Sequence, residues 1–340
     1  MVRKVVHLGP CSSRGGMSVV IRNLLRNPPE GWRVSSIDTN GETIIEKISR
    51  WFYSRRELRE VIRSEKIDLV HIHVTHSFSW WRKSGLMRIC EKQKTPTVIH
   101  IHSGKFDSFC SGLTGISVKR RLSVKGRKTV VLENRWLDLL SGIIPKDSEV
   151  IPNSSEKICE RADHSLTNKV RLLLLARESP VKGQRFAVEV VNSMDSLGRK
   201  TELVMTGNNA ELIENSSGSV IRKLGWISED EKIRLIRESD FLISPSDYEG
   251  SSMSVIEAMV CGLPCIVSAA SRETVDSEKF VIESDDPDDW AKRIAHLHDD
   301  ARYDSAVKET IEIARKFNPD ICKKRISEIY ENLVRSDDGD

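Results

Sequence analysis

Residues 244–268 have the sequence SPSDYEGSSMSVIEAMVCGLPCIVS, which predicts a strand end, a loop, a helix and a second strand. The apolar run that leads into the segment is typical of a short buried strand. Ser251 or Ser252 can cap the helix, and Gly262 ends it before LPCIVS resumes an extended run. Because strands alternate with helices along the whole chain, we predict parallel α/β sheets. The loop then lies at the carboxyl end of a strand, where open α/β sheets bind ligands.

Two carboxylates flank this loop. Glu249 lies within it, and Glu257 lies about two turns into the helix. Gly250 lets the backbone approach a ligand closely, and the free N–H groups at the helix start attract an anion. Carboxylates accept hydrogen bonds from hydroxyl groups. Hydroxyls on both sides of an anion are the pattern of a sugar nucleotide, so we predict a sugar-nucleotide site here.

Length and composition limit the class of protein. The 340 residues are enough for two domains, and 39% hydrophobic with 30% charged residues is ordinary for a globular chain. No apolar run approaches the roughly 20 residues that span a bilayer, and the start lacks the apolar core of a signal peptide. Seven scattered cysteines predict a reduced, cytoplasmic setting. We expect Cys261 and Cys265 to be packing residues rather than metal ligands.

Charge divides the chain into two halves. Residues 1–165 hold 29 Lys and Arg against 17 Asp and Glu, whereas residues 166–340 hold 24 against 33. The polar stretch 153–168 separates two series of alternating strands and helices, so we place a domain boundary there. Two Rossmann-like domains are what this organisation predicts.

A glycine pair follows the first predicted strand. Gly9 ends that strand, and Gly15 and Gly16 precede a helix. This geometry suits close approach of a diphosphate or a sugar, although a plain loop gives the same pattern. The spacing is not that of the dinucleotide-binding fingerprint.

The spacing Glu-x7-Glu resembles the signature of retaining glycosyltransferases of GT-B fold, in particular the large family 4, the group 1 glycosyl transferases. The resemblance implies two Rossmann-like domains that face each other across a cleft. It assigns an acceptor-binding domain to residues 1–160 and a nucleotide-sugar-binding domain to residues 161–317. A C-terminal helix, residues 318–340, is expected to cross back to the first domain.

The resemblance also implies roles for the residues of the quoted segment. Glu249 would bind hydroxyls of the donor sugar, and Glu257 would accept hydrogen bonds from the ribose. Backbone amides would contact the sugar and phosphate at Gly250, Ser251, Ser252 and Met253.

Further donor contacts are implied outside this segment. The amides of Gly15 and Gly16 would meet the donor, Gly207 would lie near the nucleotide, and the base would pack near Trp226 and Ile227.

The run LLLLARESPVKG resembles the family pattern in which an arginine and a lysine bind the donor diphosphate. Arg177 and Lys182 occupy these positions, with Ala176 where the family usually has glycine. A leaving nucleoside diphosphate gains negative charge as the glycosidic bond breaks, and fixed cations lower that barrier. Arginine offers a planar fork to phosphate, and lysine acts as a point charge.

Two strands carry paired histidines. His71 and His73 alternate on one strand, and His100 and His102 on another, so each pair shares a face. The spacing invites a metal interpretation, but no carboxylate or thiol accompanies it at ligand spacing. By resemblance, His102 lies near the donor sugar and binds one of its hydroxyls, with a weaker assignment for His73. We expect His71 and His100 to be buried core histidines.

An Asp-x-Asp sequence at Asp286 and Asp288 matches the metal motif of another glycosyltransferase fold. Asp286 is better explained as a helix cap, with Pro287 at the first helical position and acids in the first turn. The motifs therefore require neither a metal nor another cofactor, and cations would neutralise the diphosphate.

The predicted function is retaining transfer of a sugar from a UDP- or GDP-sugar to a hydroxyl of a glycan or lipid-linked acceptor, in synthesis of a cell-surface polysaccharide or glycoconjugate. The alternatives are a sugar-nucleotide epimerase or phosphorylase of the same fold, and a donor-binding partner subunit without turnover. The basic stretches 51–63 and 117–128 are either solvated faces or a peripheral contact with an anionic membrane at the cytoplasmic side. Trp80 and Trp81 belong either to an acceptor groove or to the core. Nothing indicates nucleic-acid binding.

Overall fold

A computed structural model describes residues 2–13, 15–41, 43–160, 164–207, 211–214 and 218–337. The chain forms two compact units. The first comprises Met1–Ser154 with Pro319–Asp340, and the second comprises Ser155–Asn318. The break after Ser154 lies within the polar segment that separates the two series of strands in the sequence.

A six-stranded parallel sheet is the centre of the first unit, in the order β2-β1-β3-β4-β5-β6. Its strands are β1 (Arg3–Gly9), β2 (Trp32–Asp38), β3 (Leu69–Val74), β4 (Thr97–Ile101), β5 (Arg127–Val131) and β6 (Glu149–Val150). All residues of β3 and β4 are buried, as expected for strands covered by helices on both faces. The strand order reverses between β1 and β3, so the loops after these strands diverge and leave a crevice.

Helices connect these strands. They are α1 (Gly16–Arg26), α2 (Ile44–Ser64), α3 (Ser77–Lys92), α4 (Phe106–Phe109), α5 (Gly112–Leu122) and α6 (Arg135–Leu139). Helix α2 begins with a capping box between Thr43 and Glu46, which explains where this long charged helix starts.

The second unit is built on a seven-stranded sheet in the order β13-β12-β11-β7-β8-β10-β9. Its strands are β7 (Val170–Leu174), β8 (Thr201–Thr206), β9 (Glu211–Glu214), β10 (Val220–Leu224), β11 (Phe241–Ser244), β12 (Cys265–Ser268) and β13 (Val281–Ile282). Strand β9 pairs with β10 in antiparallel register, and the other pairings are parallel. Periodicity did not predict β9 or β13, because a strand of four or two residues leaves almost no pattern.

The helices of the second unit are α7 (Gln184–Ser196), α8 (Glu229–Glu238), α9 (Met253–Val260), α10 (Arg272–Val275), α11 (Pro287–Leu297) and α12 (Asp300–Ala314). The last helix, α13 (Pro319–Asp337), belongs to the first unit. The predicted cap of α11 is confirmed, since the side chain of Asp286 accepts a hydrogen bond from the amide of Asp288, 2.9 Å away.

Both units are therefore doubly wound α/β folds, as the alternation of strands and helices predicted. All seven cysteines are free, and Cys261 and Cys265 are buried beside α9. None of the helices within the described ranges is long and apolar enough to cross a membrane.

Candidate active site

The loops after β7 and β11 lie at the point where the sheet of the second unit reverses its winding. Strands β7 and β11 are parallel neighbours, with Leu172 opposite Phe241. From β7 the chain passes to β8 on one side, and from β11 it passes to β12 on the other. Loops that part in this way leave a crevice at the carboxyl edge of the sheet. Arg177 and Lys182 follow β7, and Glu249 follows β11.

Lys182 and Glu249 form an ion pair in this crevice. The Nζ atom of Lys182 lies 2.5 Å from Oε1 of Glu249, and both side chains are largely shielded from solvent. A second link holds the two loops together, because the amide of Asp247 donates to the carbonyl of Val181 at 3.0 Å. These two contacts hold the loops after β7 and β11 together and fix the positions of the Lys182 ammonium and the Glu249 carboxylate.

Gly183 explains how Lys182 reaches this place. Residues Pro180–Lys182 form one turn of 3-10 helix, and Gly183 follows with φ of 68°, in the left-handed region. A Cβ atom at Gly183 would lie 2.2 Å from the carbonyl oxygen of Pro245. Only glycine permits both the turn and the close approach of the two loops.

Arg177 is exposed, and no ion pair of its guanidinium occurs among the described residues. Its loop is tied to β8 through Thr206, whose hydroxyl accepts from the amide of Ala176 and donates to its carbonyl, each at 2.9 Å. Gly207 follows β8 directly, where an added Cβ would meet the side chain of Lys223 at 2.9 Å. A guanidinium presented to solvent on an anchored loop suits an incoming phosphate.

Helix α9 begins at the predicted place. Ser252 is the N-cap residue and Met253 the first helical residue, although the Ser252 side chain forms no cap hydrogen bond. Gly250 and Ser251 complete the loop between β11 and the helix. The backbone amides at the start of α9 therefore lie beside the loop that carries Glu249.

Glu257 is buried in α9 and pairs with Lys232 of α8 at 3.0 Å. Lys232 also contacts Glu229 at 2.7 Å. Burial raises the pKa of the Glu257 carboxyl, and the ion pair with Lys232 offsets only part of that increase. Burial lowers the pKa of Lys232, but its two acidic neighbours outweigh burial and raise it. Sequence reasoning did not single out Lys232, because a lysine in a charged helix carries no distinguishing signal.

The segment predicted to lie near the base connects β10 to α8. Trp226 is 53% exposed, while Ile227 packs against the hydrophobic core. A half-exposed tryptophan next to the carboxyl edge of a sheet is suited to contact with a flat ring.

A cavity of about 920 Å³ lies at the same edge of the sheet in the second unit. It is lined by residues that follow four strands, among them Glu178, Gly183, Asp247 and Ser284. Lys182 and Glu249 do not line it. Gly183 and Asp247, which line it, belong to the loops that carry Lys182 and Glu249, so the cavity lies next to the ion pair.

Gly15 and Gly16 belong to the first unit, where they line a depression of about 270 Å³ at the crevice between β1 and β3. Gly15 has φ of 149° and Gly16 is the first residue of α1. Arg82 and Lys83 also line this depression. Burial lowers the pKa of Lys83 to about 7, with repulsion from Arg82 as the next cause.

His102 follows β4, and its amide donates to the carbonyl of Val74 at 2.8 Å. The residue is half-buried, and its Nε2 lies 2.9 Å from Nδ1 of His73. His71 and His100 are buried, as expected. The sequence left open whether the two pairs lie together, and in the structure all four rings belong to one cluster.

Within the described residues, the groups that could hold a metal ion are two overlapping histidine trios in this cluster. One trio adds a histidine that sequence reasoning missed. The members of the trios are His7, His71 and His73, and His73, His100 and His102.

The predicted residues thus fall into two sets. The first unit holds the glycine pair and His102, and the second unit holds the remaining ones, with Lys182 and Glu249 in direct contact. Glu257 contacts Lys232 rather than another predicted residue.

Comparison with known proteins agrees with this organisation. Residues 169–300 match the family model of the glycosyl transferases group 1. A galactosyltransferase of Escherichia coli, UDP-Gal:alpha-D-GlcNAc-diphosphoundecaprenol alpha-1,3-galactosyltransferase, is 23% identical over 333 residues, covering 82% of this chain and 78% of that protein. The O-antigen chain mannosyltransferase B of Escherichia coli is 28% identical over 116 residues, 33% of this chain and 30% of that protein.

Solved structures share the fold over nearly the whole chain. Sucrose-phosphate synthase from Thermosynechococcus elongatus gives a TM-score of 0.75 at 17% identity and covers 98% of this chain and 100% of that one. HepE of Anabaena, in complex with UDP and glucose, gives 0.75 at 13% identity, with 97% of this chain and 100% of that one covered. Two doubly wound units with these neighbours define the GT-B fold.

With the site on β7 and β11, the molecule is an enzyme of the glycosyltransferase class. Within that class, residues 169–300 are similar to the group 1 glycosyl transferases.

Proposed function

We propose that this chain transfers a sugar from a UDP- or GDP-sugar to a hydroxyl of a lipid-linked or glycan acceptor, with retention of anomeric configuration, in synthesis of a cell-surface polysaccharide. The observation that carries the proposal is the Lys182–Glu249 ion pair at the switch point of the second sheet. A carboxylate that can bind sugar hydroxyls and a cation that can bind phosphate are in contact there. A nucleotide sugar is a ligand that has hydroxyls and phosphates close enough to bind both groups.

The cations would act on the leaving group. As the bond between the sugar and the diphosphate breaks, negative charge accumulates on the phosphate oxygens. Lys182 and exposed Arg177 can offset that charge, and charges that are fixed beforehand need no reorganisation during the reaction. The motifs then call for no divalent metal.

The acids would act on the hydroxyls. Glu249 would bind the donor sugar and Glu257 the ribose, while amides at the start of α9 contact sugar and phosphate. None of the carboxylates assigned to this site, Glu249 and Glu257, has the role of a covalent nucleophile. We therefore propose attack on the same face as the departing phosphate, which takes the proton of the acceptor hydroxyl as the new bond forms.

Relatives guide the choice of acceptor. One is named for a diphosphoundecaprenol-linked sugar acceptor and another for O-antigen chain synthesis. We propose an acceptor of the same class, a sugar joined through diphosphate to a polyprenol.

The test begins with the donor. UDP-glucose, UDP-galactose and GDP-mannose are added separately, and the melting temperature is recorded, because a ligand of the folded state must raise it. The stabilising donor is then incubated with a polyprenol-diphosphate sugar, and NMR of the product reports the anomeric configuration. Release of an epimerised nucleotide sugar without a new glycosidic bond would favour the epimerase instead, and stabilisation without turnover would favour a non-catalytic donor-binding subunit.

Helix α2 supports a proposal on location, that the first unit contacts an anionic membrane at the cytoplasmic side. Ile48 and Phe52 are 45% and 61% exposed. Because a helix turns about 100° per residue, they share a face with the cations of the next turns. Those cations are Arg55, Arg56, Arg59 and Arg63.

An exposed apolar segment followed by cations fits a surface of acyl chains and acidic headgroups. Sedimentation with phosphatidylglycerol vesicles should capture the protein, and phosphatidylcholine vesicles should not. The double variant Arg56→Glu with Arg59→Glu should remain in solution. Lys292→Glu with Lys308→Glu, the same charge change on exposed positions of the second unit, should still sediment. Equal sedimentation of both variants would contradict the membrane proposal.

A further inference from the structure

Six side chains of the first unit are joined by hydrogen bonds into one unbranched chain. In order along the chain, they are His100, His71, Tyr330, His7, His73 and His102. They come from three neighbouring strands and from α13. We call this set the histidine chain.

Tyr330 joins its two halves. The Tyr330 hydroxyl lies 2.6 Å from Nδ1 of His71 and 3.2 Å from Nε2 of His7. The phenol ring is almost fully buried, and it is the member of the chain that comes from the C-terminal helix. Because one hydroxyl can donate to one ring and accept from the other, it transmits the direction of hydrogen bonding between the halves.

The next links lead outward. Nδ1 of His7 lies 2.9 Å from Nε2 of His73, and Nδ1 of His73 lies 2.9 Å from Nε2 of His102. His102 is the partly exposed member, and the other rings are buried. At the opposite end, Nε2 of His100 is buried, and the backbone of Ile151 interacts with this ring although the contact lacks good hydrogen-bond geometry. The chain therefore has an outer end at His102 and a closed inner end.

Burial keeps these rings neutral. It is the main cause that lowers the pKa of His73 and His102 well below the ordinary histidine value, and neighbouring imidazoles add to the effect. A neutral imidazole has one N–H and one lone pair. Each inner ring uses both nitrogens in the chain, so the donors point in one direction throughout when the Tyr330 hydroxyl donates to one neighbour and accepts from the other. The two possible directions give His102 opposite tautomers. The backbone of Ile151 next to His100 raises the pKa of that ring and offsets part of the effect of burial, as an acceptor for an N–H does. It favours the direction in which His100 has its N–H at Nε2, and His102 then has its N–H at Nε2 as well.

A metal site explains the cluster less well. Ligand nitrogens of His7, His71 and His73 lie within 4.8 Å of one another, but His71 and His73 are stacked face to face, with ring centroids 4.4 Å apart and an interplanar angle of 7°. Ligand atoms about 2.0 Å from a tetrahedral zinc lie more than 3 Å from one another, whereas two of these N···N links measure 2.9 Å. The Nζ of Lys83 also donates to the carbonyl of His73, which places a potential cation beside the rings.

We infer that the histidine chain fixes the tautomer of His102, and that Tyr330 is a positioning residue for sugar transfer through this chain. The inference rests on the proposed function and on the resemblance by which His102 binds a sugar hydroxyl. Because the inner end is closed, the chain does not conduct protons through the unit. It presents the free Nδ1 of His102 to the substrate as an acceptor.

The test compares Tyr330→Phe with the unmodified protein. The substitution removes the linking hydroxyl and keeps the ring. Tyr303→Phe is the matched control, since the Tyr303 hydroxyl is also buried, donates to the carbonyl of Asp240 at 2.9 Å, and belongs to the second unit. Long-range ¹H–¹⁵N spectra report the tautomer of each histidine without any need for activity.

In the unmodified protein and in Tyr303→Phe, we expect one tautomer at His102 and slow exchange of the histidine N–H protons. In Tyr330→Phe, we expect a tautomer mixture at His102 and at least tenfold faster exchange. The kcat for sugar transfer should fall about two- to tenfold, in proportion to the competent fraction, with the donor KM within twofold of its original value.

Several results would overturn the inference. The first is a mixture of His102 tautomers in the unmodified protein. The second is a Tyr330→Phe variant in which the tautomer of His102 is unchanged. The third is a Tyr330→Phe variant in which the tautomer of His102 changes but the kcat for sugar transfer does not. Binding of one equivalent of Co²⁺ that is lost in His73→Ala would assign the cluster to a metal instead. If Tyr330→Phe does not fold, the spectrum of the unmodified protein still decides whether the tautomer is fixed. A failed transfer assay with a fixed tautomer would refute the proposed function and leave the chain itself intact.

Discussion

Nζ of Lys182 lies 2.5 Å from Oε1 of Glu249, although 67 residues separate them in the sequence. The pairing arises because β7 and β11 are neighbours in the sheet and both loops leave at its carboxyl edge. In the proposed reaction the two groups have different roles. The ammonium group of Lys182 binds the phosphate, and the carboxylate of Glu249 binds the sugar.

Replacement of Glu249 by glutamine should abolish most transfer. The amide keeps the shape of the side chain but loses the charge that strengthens hydrogen bonds from sugar hydroxyls. We expect kcat/KM to fall about 100-fold, equivalent to about 2.7 kcal/mol of transition-state stabilisation.

Steady-state rates with the stabilising donor provide the measurement. Glu309→Gln is the control, because Glu309 forms an ion pair with Lys279 elsewhere in the second unit. Transfer by Glu249→Gln at the rate of the control would show that the site is assigned to the wrong residues.

Removal of either cation should weaken binding of the nucleoside diphosphate. We expect Arg177→Ala to raise the Kd for UDP or GDP about tenfold, or about 1.4 kcal/mol. Lys182→Ala should cost more than Arg177→Ala, because it also removes the cation that offsets Glu249 beside the incoming anion.

Isothermal titration calorimetry measures both values. Arg199→Ala and Lys292→Ala, at exposed positions of the same unit, should leave Kd unchanged. Weaker binding of the same size in these controls would mean that overall charge, and not the site, sets the affinity.

Gly183→Ala should lower the stability of the second unit and should also weaken donor binding at the site. The left-handed conformation at φ of 68° costs about 1–2 kcal/mol for any residue with a Cβ, and the clash with the Pro245 carbonyl adds to it. Gly198 separates the two causes, since its φ is 72° and nothing lies within 4 Å of an added Cβ.

Urea unfolding of both alanine variants measures the difference. Gly198→Ala should lose about 1–2 kcal/mol and retain the melting-temperature shift with donor. Gly183→Ala should lose at least about 1 kcal/mol more, and the donor shift with it. Equal losses of stability would mean that the loops of β7 and β11 are not packed closely.

Acid should destabilise the first unit steeply. Burial lowers the pKa of His7 and His100 to about 3, and of His71 and His73 well below the ordinary value. The unfolded chain therefore binds more protons below about pH 6.5, so this contribution to stability is present above that pH and is lost as the pH falls. Four such rings correspond to about 5 kcal/mol between pH 6 and pH 5.

The free energy of unfolding, measured against pH, checks this dependence. His100→Gln should reduce the slope by about 1.4 kcal/mol per pH unit, because one titrating ring is removed. His296→Gln, at an exposed position of α11, should reproduce the original slope. A free energy of unfolding that stays constant from pH 7 to pH 5 would refute burial of neutral rings.

Local sequence patterns were sufficient for the secondary structure near the site. The end of β11, the start of α9 after Ser252 and the cap of α11 at Asp286 all follow from residues within a few positions of each other. Backbone hydrogen bonding and capping depend on near neighbours, so the sequence carries these signals directly.

Contacts between distant residues were less accessible. Alternation placed His71 and His73 on one face of their strand, but it did not show that His100 lies beside them. Tyr330 was absent from the sequence-based site, because a single tyrosine in a terminal helix has no motif. The pair of Glu257 with Lys232 was missed for the same reason.

The sequence by itself determined the order of strands and helices, the glycosyltransferase motif and the residue types available for a sugar nucleotide. Only the tertiary structure decided that Lys182 meets Glu249 and that Tyr330 joins the buried histidines, since strand order and helix packing bring together residues far apart in the chain. The physical reason is that hydrogen bonds and turns are local, whereas the burial of apolar surface that orders the sheets acts over the whole unit.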